Sequence, residues 1–208
     1  MTTTAPFARN VKRAAALSGA GLLTALGLAF AVPSSASAAD VPTCNGLVAT
    51  IVGTDRADDI EGTRGNDVIV GLAGNDEIDG NGGNDTICGN AGNDEIDGGS
   101  GNDWLQGSTG NDEIDGGSGN DKVFGSSGDD DLEGGSGKDT VDGYTGNDRL
   151  EGNSGQDRLF GKDGDDFLEG NGSRDTLDGG AGVNQTFQGS ASERAEDAWE
   201  RQYRGDDD

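Results

Sequence analysis

The chain contains no histidine, two cysteines and three prolines among its 208 residues, and aromatic residues make up only 5%. Without imidazole it lacks the commonest general base and the usual protein ligand of zinc and copper. Two cysteines are too few for a four-thiolate zinc site. The many carboxylates recur along the whole chain, so no pair stands out as catalytic. The sequence therefore predicts neither an enzyme nor a zinc or copper protein.

Positive charge is also scarce. Lysine and arginine number 14 against 40 aspartates and glutamates, which gives a formal net charge of -26. Such a charge repels nucleic acid and anionic membranes, so we expect neither as a partner. Hydrophobic residues make up 30% of the chain and glycine contributes 40 residues, a composition typical of disordered proteins. A folded state must depend on a feature that composition does not show.

The first forty residues differ from the rest of the chain. Three basic residues among the first thirteen precede an apolar stretch at 14–32, and Ala36, Ser37 and Ala38 then give a small-x-small cleavage pattern. This organisation predicts a secretory signal peptide at 1–38. An uncleaved membrane anchor is the alternative, although Gly, Ser and Thr within the apolar stretch make it less favourable. We expect the mature protein to be secreted and extracellular.

A strict nine-residue repeat runs from Gly53 to Asp178 without insertion or deletion. Each of its fourteen units has glycine first, aspartate sixth and an aliphatic residue eighth, as in GLAGNDEID at 71–79. A fixed short period predicts a solenoid. The sixth-position aspartates are Asp58, Asp67, Asp76, Asp85, Asp94, Asp103, Asp112, Asp121, Asp130, Asp139, Asp148, Asp157, Asp166 and Asp175.

Each unit divides into a turn and a short strand. Positions one to six are rich in Gly, Asn and Asp, which favour turns, and positions seven to nine can form one strand. Side chains alternate across a strand, so the eighth residue points inward and its neighbours point outward. The predicted core residues are Ile60, Ile69, Ile78, Ile87, Ile96, Leu105, Ile114, Val123, Leu132, Val141, Leu150, Leu159, Leu168 and Leu177.

One buried aliphatic side chain in nine residues makes a thin core for the backbone that has to be ordered. Metal binding can supply the missing stability when the site exists only in the folded chain. Calcium suits the available ligands because it takes six to eight oxygens from carboxylates and backbone carbonyls. A plain Asx-turn would accept Asn or Ser as readily, but the sixth position never varies. We therefore predict that all fourteen sixth-position aspartates bind calcium, with several ions per chain.

The repeat resembles the RTX, or hemolysin-type, calcium-binding nonapeptide repeat G-G-x-G-x-D-x-U-x. GGSGNDWLQ at 98–106 and GGSGNDKVF at 116–124 match it throughout, and the resemblance covers 53–178. It implies an all-β, right-handed parallel β-roll in which two units make one turn and calcium lies between successive turns, held by aspartates and turn carbonyls. Fourteen units then give about seven turns. Arg56 and Ser173 replace the fourth-position glycine of the first and last units, where the sequence departs from the family pattern.

Two units per turn predict one sheet from the odd-numbered units and another from the even-numbered units, and the ninth position shows this 18-residue period. In the even units the ninth residue varies. The expected outer face of the even sheet carries a partly apolar strip, formed by Trp104, Phe124, Phe160, Val68 and Val70. The strip either simply suits strands or binds a partner or a second copy of the roll. In the odd units the ninth residue is always acidic: Glu61, Asp79, Asp97, Asp115, Glu133, Glu151 and Glu169.

Both ends of a solenoid need a cap. We assign 39–52 to an N-terminal cap without calcium, because Ala49 stands where the aspartate would be. The roll covers 53–187, and 188–208 form a C-terminal cap or tail. A capping box beginning at Ser190 predicts a helix at about 190–203.

Export favours a disulfide between the two cysteines, Cys44 and Cys88. If 44–52 formed a regular rung, however, the two residues would lie on different edges and two rungs apart, beyond the reach of a disulfide. Either the cap leaves the register near Asn45 and Gly46, or the thiols stay apart.

Together these features predict a secreted calcium-binding repeat protein that folds on binding extracellular calcium. The alternative is an adhesion or interaction protein, stabilised by calcium, that uses the even-sheet face around Trp104 and Phe124. A protein partner or self-association stays open at this point.

Overall fold

The computed structural model describes residues 41–189. The predicted signal peptide at 1–38 and the predicted helix at about 190–203 lie outside this range. All regular secondary structure between 41 and 189 is β-strand. Within it, no helix is long and apolar enough to cross a membrane.

The repeat forms two parallel sheets of eight strands each. Residues 18 apart pair in register, as Ile78 does with Ile96 and Ile87 with Leu105, so two units make one turn. The even sheet contains β3 (Ile51–Val52), β5 (Val68–Ala73), β7 (Thr86–Ala91), β9 (Trp104–Thr109), β12 (Lys122–Ser127), β15 (Thr140–Thr145), β18 (Arg158–Asp163) and β20 (Thr176–Asp178). The odd sheet contains β4 (Asp59–Glu61), β6 (Glu77–Asp79), β8 (Glu95–Asp97), β10 (Glu113–Asp115), β13 (Asp131–Glu133), β16 (Arg149–Glu151), β19 (Phe167–Glu169) and β21 (Gln185–Phe187).

The predicted parallel β-solenoid is confirmed, but it has about eight turns where fourteen units predict seven. Each end of the repeat adds one strand. At the start, Ile51–Val52 keeps the register and pairs with β5. At the finish, Gln185–Phe187 pairs with β19, although Asn184 replaces the aspartate of this fifteenth unit.

The core is a double file of eighth-position side chains between the two sheets. From Ile60 to Leu168 these side chains are at most 1% exposed. Leu177 is only partly buried, because it lies in the last strand of the even sheet and has no further turn above it. The buried set is Ile51, Ile60, Ile69, Ile78, Ile87, Ile96, Leu105, Ile114, Val123, Leu132, Val141, Leu150, Leu159 and Leu168.

The turns stack in direct contact, which explains the glycine at position four. Gly119 has φ +146°, and a Cβ there would lie 1.3 Å from the carbonyl oxygen of Gly101 in the preceding turn. Only glycine fits such a contact and such a φ. Short parallel strands on one turn edge, β11 (Ser118–Gly119), β14 (Ser136–Gly137) and β17 (Ser154–Gly155), form a third small sheet.

The N-terminal cap continues the solenoid only at Ile51–Val52. Strands β1 (Thr43–Cys44) and β2 (Leu47–Val48) form an antiparallel hairpin whose turn residues, Asn45 and Gly46, both have positive φ. The register therefore breaks at Asn45 and Gly46, one of the two alternatives that the sequence left open. This break brings the Cα atoms of Cys44 and Cys88 within 5.8 Å, and the two residues form a disulfide.

The hairpin covers the N-terminal end of the even sheet on its outer face. Cys44, Ala49, Val70 and Cys88 form a buried cluster there, with Val70 only 2% exposed. The expectation that the valines belong to an exposed strip is therefore wrong for this end of the sheet, because the hairpin folds back over them. The remaining part of the strip begins at Trp104, which packs against the same cluster.

Gly82 and Gly83 are adjacent in the fourth unit (80–88), and replacing each of them distinguishes the effect of turn stacking from that of glycine content. A Cβ at Gly83 would lie 2.6 Å from the backbone of Gly65 at a φ of +117°, whereas a Cβ at Gly82 meets nothing closer than 3.6 Å. We expect Gly83→Ala to lower the free energy of unfolding by about 1–3 kcal/mol. Gly82→Ala should change it little. Thermal unfolding of both variants in calcium measures this, and equal melting temperatures would contradict the role given to stacking.

Candidate metal centres

The sixth-position aspartates form two continuous rows, one along each turn edge. From Asp76 to Asp175, each Oδ1 accepts a hydrogen bond from the backbone N–H of the aspartate 18 residues earlier. The Asp103 N–H donates to Asp121 at 2.8 Å, and the Asp121 N–H donates to Asp139 at 2.8 Å. The same bond recurs along both rows. One carboxylate oxygen of each residue thus holds successive turns together.

Neutral amides end both rows at the C-terminal side. The Asp166 N–H donates to Oδ1 of Asn184 at 2.7 Å, and the Asp175 N–H donates to Oε1 of Gln188 at 3.0 Å. These side chains continue the hydrogen-bond pattern without adding charge. The change from Asp to Asn in unit fifteen therefore keeps the structural role of the sixth residue and removes its charge.

The fifth position forms a second ladder that runs in the opposite direction. The Asn102 N–H donates to Oδ1 of Asn84 at 2.8 Å, and the Asn111 N–H donates to Oδ1 of Asn93 at 3.1 Å. Sequence reasoning attributed the frequent asparagine only to turn preference and missed this contact between turns. The recurrence of Asn or Asp at the fifth position of the repeat was the signal that could have shown this contact.

The second carboxylate oxygen has no partner in most of the repeat. From unit three to unit fourteen, every sixth-position Oδ2 is buried and accepts no hydrogen bond. Burying a carboxylate oxygen without a partner is costly, so an unbroken series of such atoms fits residues that would bind a cation. The residues are Asp76, Asp85, Asp94, Asp103, Asp112, Asp121, Asp130, Asp139, Asp148, Asp157, Asp166 and Asp175.

Each of these oxygens lies over the first glycine of its own unit. A Cβ on Gly89 would lie 2.2 Å from Oδ2 of Asp94, so any other residue would fill this space. A carbonyl oxygen of the next turn faces the same kind of space, since a Cβ on Gly71 would lie 2.8 Å from the carbonyl oxygen of Gly89. The glycines thus leave room between oxygen atoms, and such donors suit a hard cation such as calcium.

Side chains alone do not complete a metal site. Among residues 41–189, no three His, Cys, Asp or Glu side chains converge on a common point. A cation here would need main-chain carbonyls beside the aspartates, and the glycine turns expose them. The donor set therefore fits calcium, which accepts carbonyl ligands and irregular geometry.

Burial shifts the acidity of the aspartate rows. Desolvation raises the pKa of Asp121 and of Asp148 to about 7, and the neighbouring carboxylates in each row raise it further. It raises the pKa of Asp112 and Asp130 to about 6. The folded chain without metal therefore holds carboxylates that ionise less readily than a free aspartate, and a bound cation would favour their charged form.

A groove along the odd turn edge adds further negative charge. It is lined by the odd row of aspartates and by acidic side chains at position seven, including Glu95, Glu113 and Asp131. These groups surround the buried row with carboxylates, which favours cations over anions along this edge.

The RTX calcium-binding nonapeptide repeat family matches the chain in four copies, at 52–87, 89–123, 124–159 and 151–185. The chain belongs to this RTX family. No curated protein matches the sequence. The family match covers most of the solenoid, and the resemblance inferred from the nonapeptide pattern is thereby confirmed.

The RTX repeat places all fourteen predicted aspartates in the two rows. The structure does not bring them into one cluster; it spaces them one per unit. Twelve share the free Oδ2, including Asp175, whose unit has Ser173 at the fourth position. Asp58 and Asp67 differ, because Thr54 and Thr63 donate hydrogen bonds to their Oδ2 atoms.

The raised pKa values predict how the metal-free RTX roll responds to pH. The folded pKa of these aspartates, about 6 to 7 for Asp85, Asp112, Asp121 and Asp148, exceeds the ordinary value of 3.8. The folded state thus binds more protons than the unfolded state between about pH 4 and pH 7, and its stability falls as pH rises through that window. We expect β structure in chelator to increase from about pH 7.5 to about pH 5. Far-UV circular dichroism would contradict this if the β signal decreased on acidification.

Proposed function

We propose that this protein is a secreted calcium-binding repeat protein that folds on binding extracellular calcium. The observation that carries the proposal is the pair of rows of buried, unpartnered aspartate oxygens, each placed over a glycine. Calcium would supply positive charge and accept oxygen ligands, and the twelve aspartates from Asp76 to Asp175 would hold it together with turn carbonyls. Because these sites exist only when turns are stacked, the binding free energy adds to folding.

Repulsion in the odd sheet supports the same proposal. Asp79, Asp97 and Asp115 pair in register at the ninth position, one strand spacing of about 4.8 Å apart. Like charges directly opposite each other destabilise a sheet. Toward the C-terminal end, Arg149 bridges Asp131 and Glu151 and relieves part of this charge. Calcium on the adjacent turn edge would reduce the net negative charge of the whole roll.

The predicted signal peptide is consistent with folding that depends on extracellular calcium. Free calcium is scarce in the cytosol, so the chain would stay unfolded and competent for export. Outside the cell, calcium near the range of about 0.1 to 1 mM typical of extracellular modules would fold it.

Calcium removal tests the proposed function. We expect the mature chain to show strong β circular dichroism in about 1 mM calcium and to lose most of it in chelator at about pH 7.5, because uncompensated carboxylates then oppose stacking. Magnesium should restore much less of the signal, since it demands a tighter octahedral geometry. An equally strong β signal with and without chelator would refute calcium-dependent folding.

The variant Asp121→Asn distinguishes the roles of the two carboxylate oxygens of Asp121. The variant keeps the Oδ1 acceptor for the Asp103 N–H, as Asn184 does for Asp166, but replaces the free Oδ2 with an amide nitrogen. We expect it to need more calcium for folding and to be no less stable than the parent in chelator. Isothermal titration calorimetry and circular dichroism measure both effects, and an unchanged calcium midpoint would argue against Asp121 as a ligand.

An interaction role for the even sheet is the second candidate function. Trp104, Phe124 and Tyr144 form a diagonal row across three strands, with ring centroids 5.2 and 6.4 Å apart. Tyr144 is 44% exposed. Next to the row, Lys162 lies 4.8 Å from the Phe160 ring centroid and pairs with Asp142. We propose that this aromatic row binds a partner while calcium stabilises the scaffold.

Replacing the aromatic row tests the second candidate. Trp104→Ser with Phe124→Ser should abolish capture of a binding partner and leave calcium-dependent folding largely intact. Phe167→Ser, on the opposite sheet, is the matched control and should retain capture. If the double variant captures the same partner as the parent, the aromatic row has no such role.

A further inference from the structure

The first two units differ from the next twelve in one structural detail. In unit one, the Thr54 N–H and hydroxyl both donate to Oδ2 of Asp58 at 2.7 Å. In unit two, the Thr63 N–H and hydroxyl donate to Oδ2 of Asp67 at 2.7 and 2.8 Å. The Oδ2 atom, which has no partner in units three to fourteen, therefore accepts two hydrogen bonds in each of the first two units.

The cause lies at position two of the unit. In units three to fifteen this residue has positive φ, even where it is Leu72, Ser108 or Tyr144. Thr54 and Thr63 do not adopt positive φ, a conformation that a β-branched residue strongly resists. The turn instead directs the threonine N–H and hydroxyl toward the aspartate. The Oδ2 of Asp58 lies 3.2 Å from the position that a Cβ on Gly53 would take. The corresponding distance is 2.1 to 3.0 Å in units three to fourteen.

A second set of contacts stabilises the same end without metal. The β1–β2 hairpin packs over the outer face of the even sheet, and the Cys44–Cys88 disulfide ties it to β7. Backbone bonds fix the first even strand, since the Thr50 N–H donates to Val68 O and the Gly53 N–H to Val70 O. None of these contacts depends on neutralising a carboxylate.

We infer that Thr54 and Thr63 close the first two units in place of calcium, so that the N-terminal end of the roll is a metal-independent nucleus on which the calcium-dependent turns assemble. This inference rests on the proposed calcium-dependent folding. Asp58 and Asp67 then act as structural acceptors, and calcium binding starts at Asp76.

Hydrogen exchange of the intact, oxidised chain in chelator and in calcium tests the inference. We expect the amides of 50–73 to keep protection in chelator, while β10 (Glu113–Asp115) to β20 (Thr176–Asp178) gain protection only in calcium. If 50–73 exchanges as fast as the later strands in chelator, the inference is wrong although calcium-dependent folding stands. If calcium changes exchange nowhere, the proposed function itself fails.

The double variant Thr54→Asn with Thr63→Asn tests the threonines directly. Asparagine occupies position two in unit four, as Asn81 with φ +66°, so it allows the turn of the later units. We expect 50–73 to exchange about tenfold faster in chelator, because two hydrogen bonds per unit are lost. We also expect native mass spectrometry to show more calcium ions bound than in the parent.

Thr145→Asn is the matched control, because the Thr145 hydroxyl donates to the Ser126 carbonyl and not to a sixth-position aspartate. It should change neither the exchange of 50–73 nor the number of ions. The disulfide is present in all three proteins, so a difference between them reports the threonines. An unchanged ion count together with unchanged protection in the double variant would overturn the inference, and the exchange pattern of the parent remains decisive if the variant does not fold.

Discussion

The direct stacking of identical turns, one strand step apart, is the constraint on which the whole structure depends. From Asp76 onward, it places each sixth-position carboxylate next to the backbone N–H of the preceding turn, which donates to one of its oxygens. The same repetition aligns the second oxygens in two buried rows and gives them no partner. The geometry that builds the ladder therefore also concentrates the charge that opposes it, and a cation bound between turns would neutralise that charge.

Glycine serves this stacking in two distinct ways. At position four, as in Gly119, the carbonyl of the turn below comes so close that no Cβ fits. At position one, as in Gly89, the missing Cβ leaves the space that the Asp94 oxygen occupies. A composition typical of disorder is thus what a tightly stacked roll of this kind requires. Low hydrophobicity and high charge exclude only those folded states that depend on apolar burial alone.

The sequence predicted the parts of the fold that repeat. Of the parts that do not repeat, it left the register break near Asn45 and Gly46 as one of two alternatives and missed the contacts of Thr54 and Thr63. A strict period gives every unit the same surroundings, so the two sheets, the file of core residues and the rows of aspartates could be deduced from spacing. The hairpin at Asn45 and Gly46 occurs once and depends on its packing against the even sheet, which no period encodes. Thr54 and Thr63 occupy a variable position, and only their backbone conformation distinguishes them from the residues that follow.

The ends of the two aspartate rows show how the charge is confined. At the N-terminal end, threonine hydroxyls satisfy the free oxygens of Asp58 and Asp67. At the C-terminal end, Asn184 and Gln188 accept the same backbone hydrogen bonds with neutral amides. The N-terminal end therefore presents no unpartnered carboxylate oxygen, whereas Asp175, in the last unit of the even sheet, keeps an unpartnered Oδ2. Units with a stacked turn on both sides are those in which two turns could supply carbonyl oxygens to the same ion, and Asp175 would have fewer such ligands.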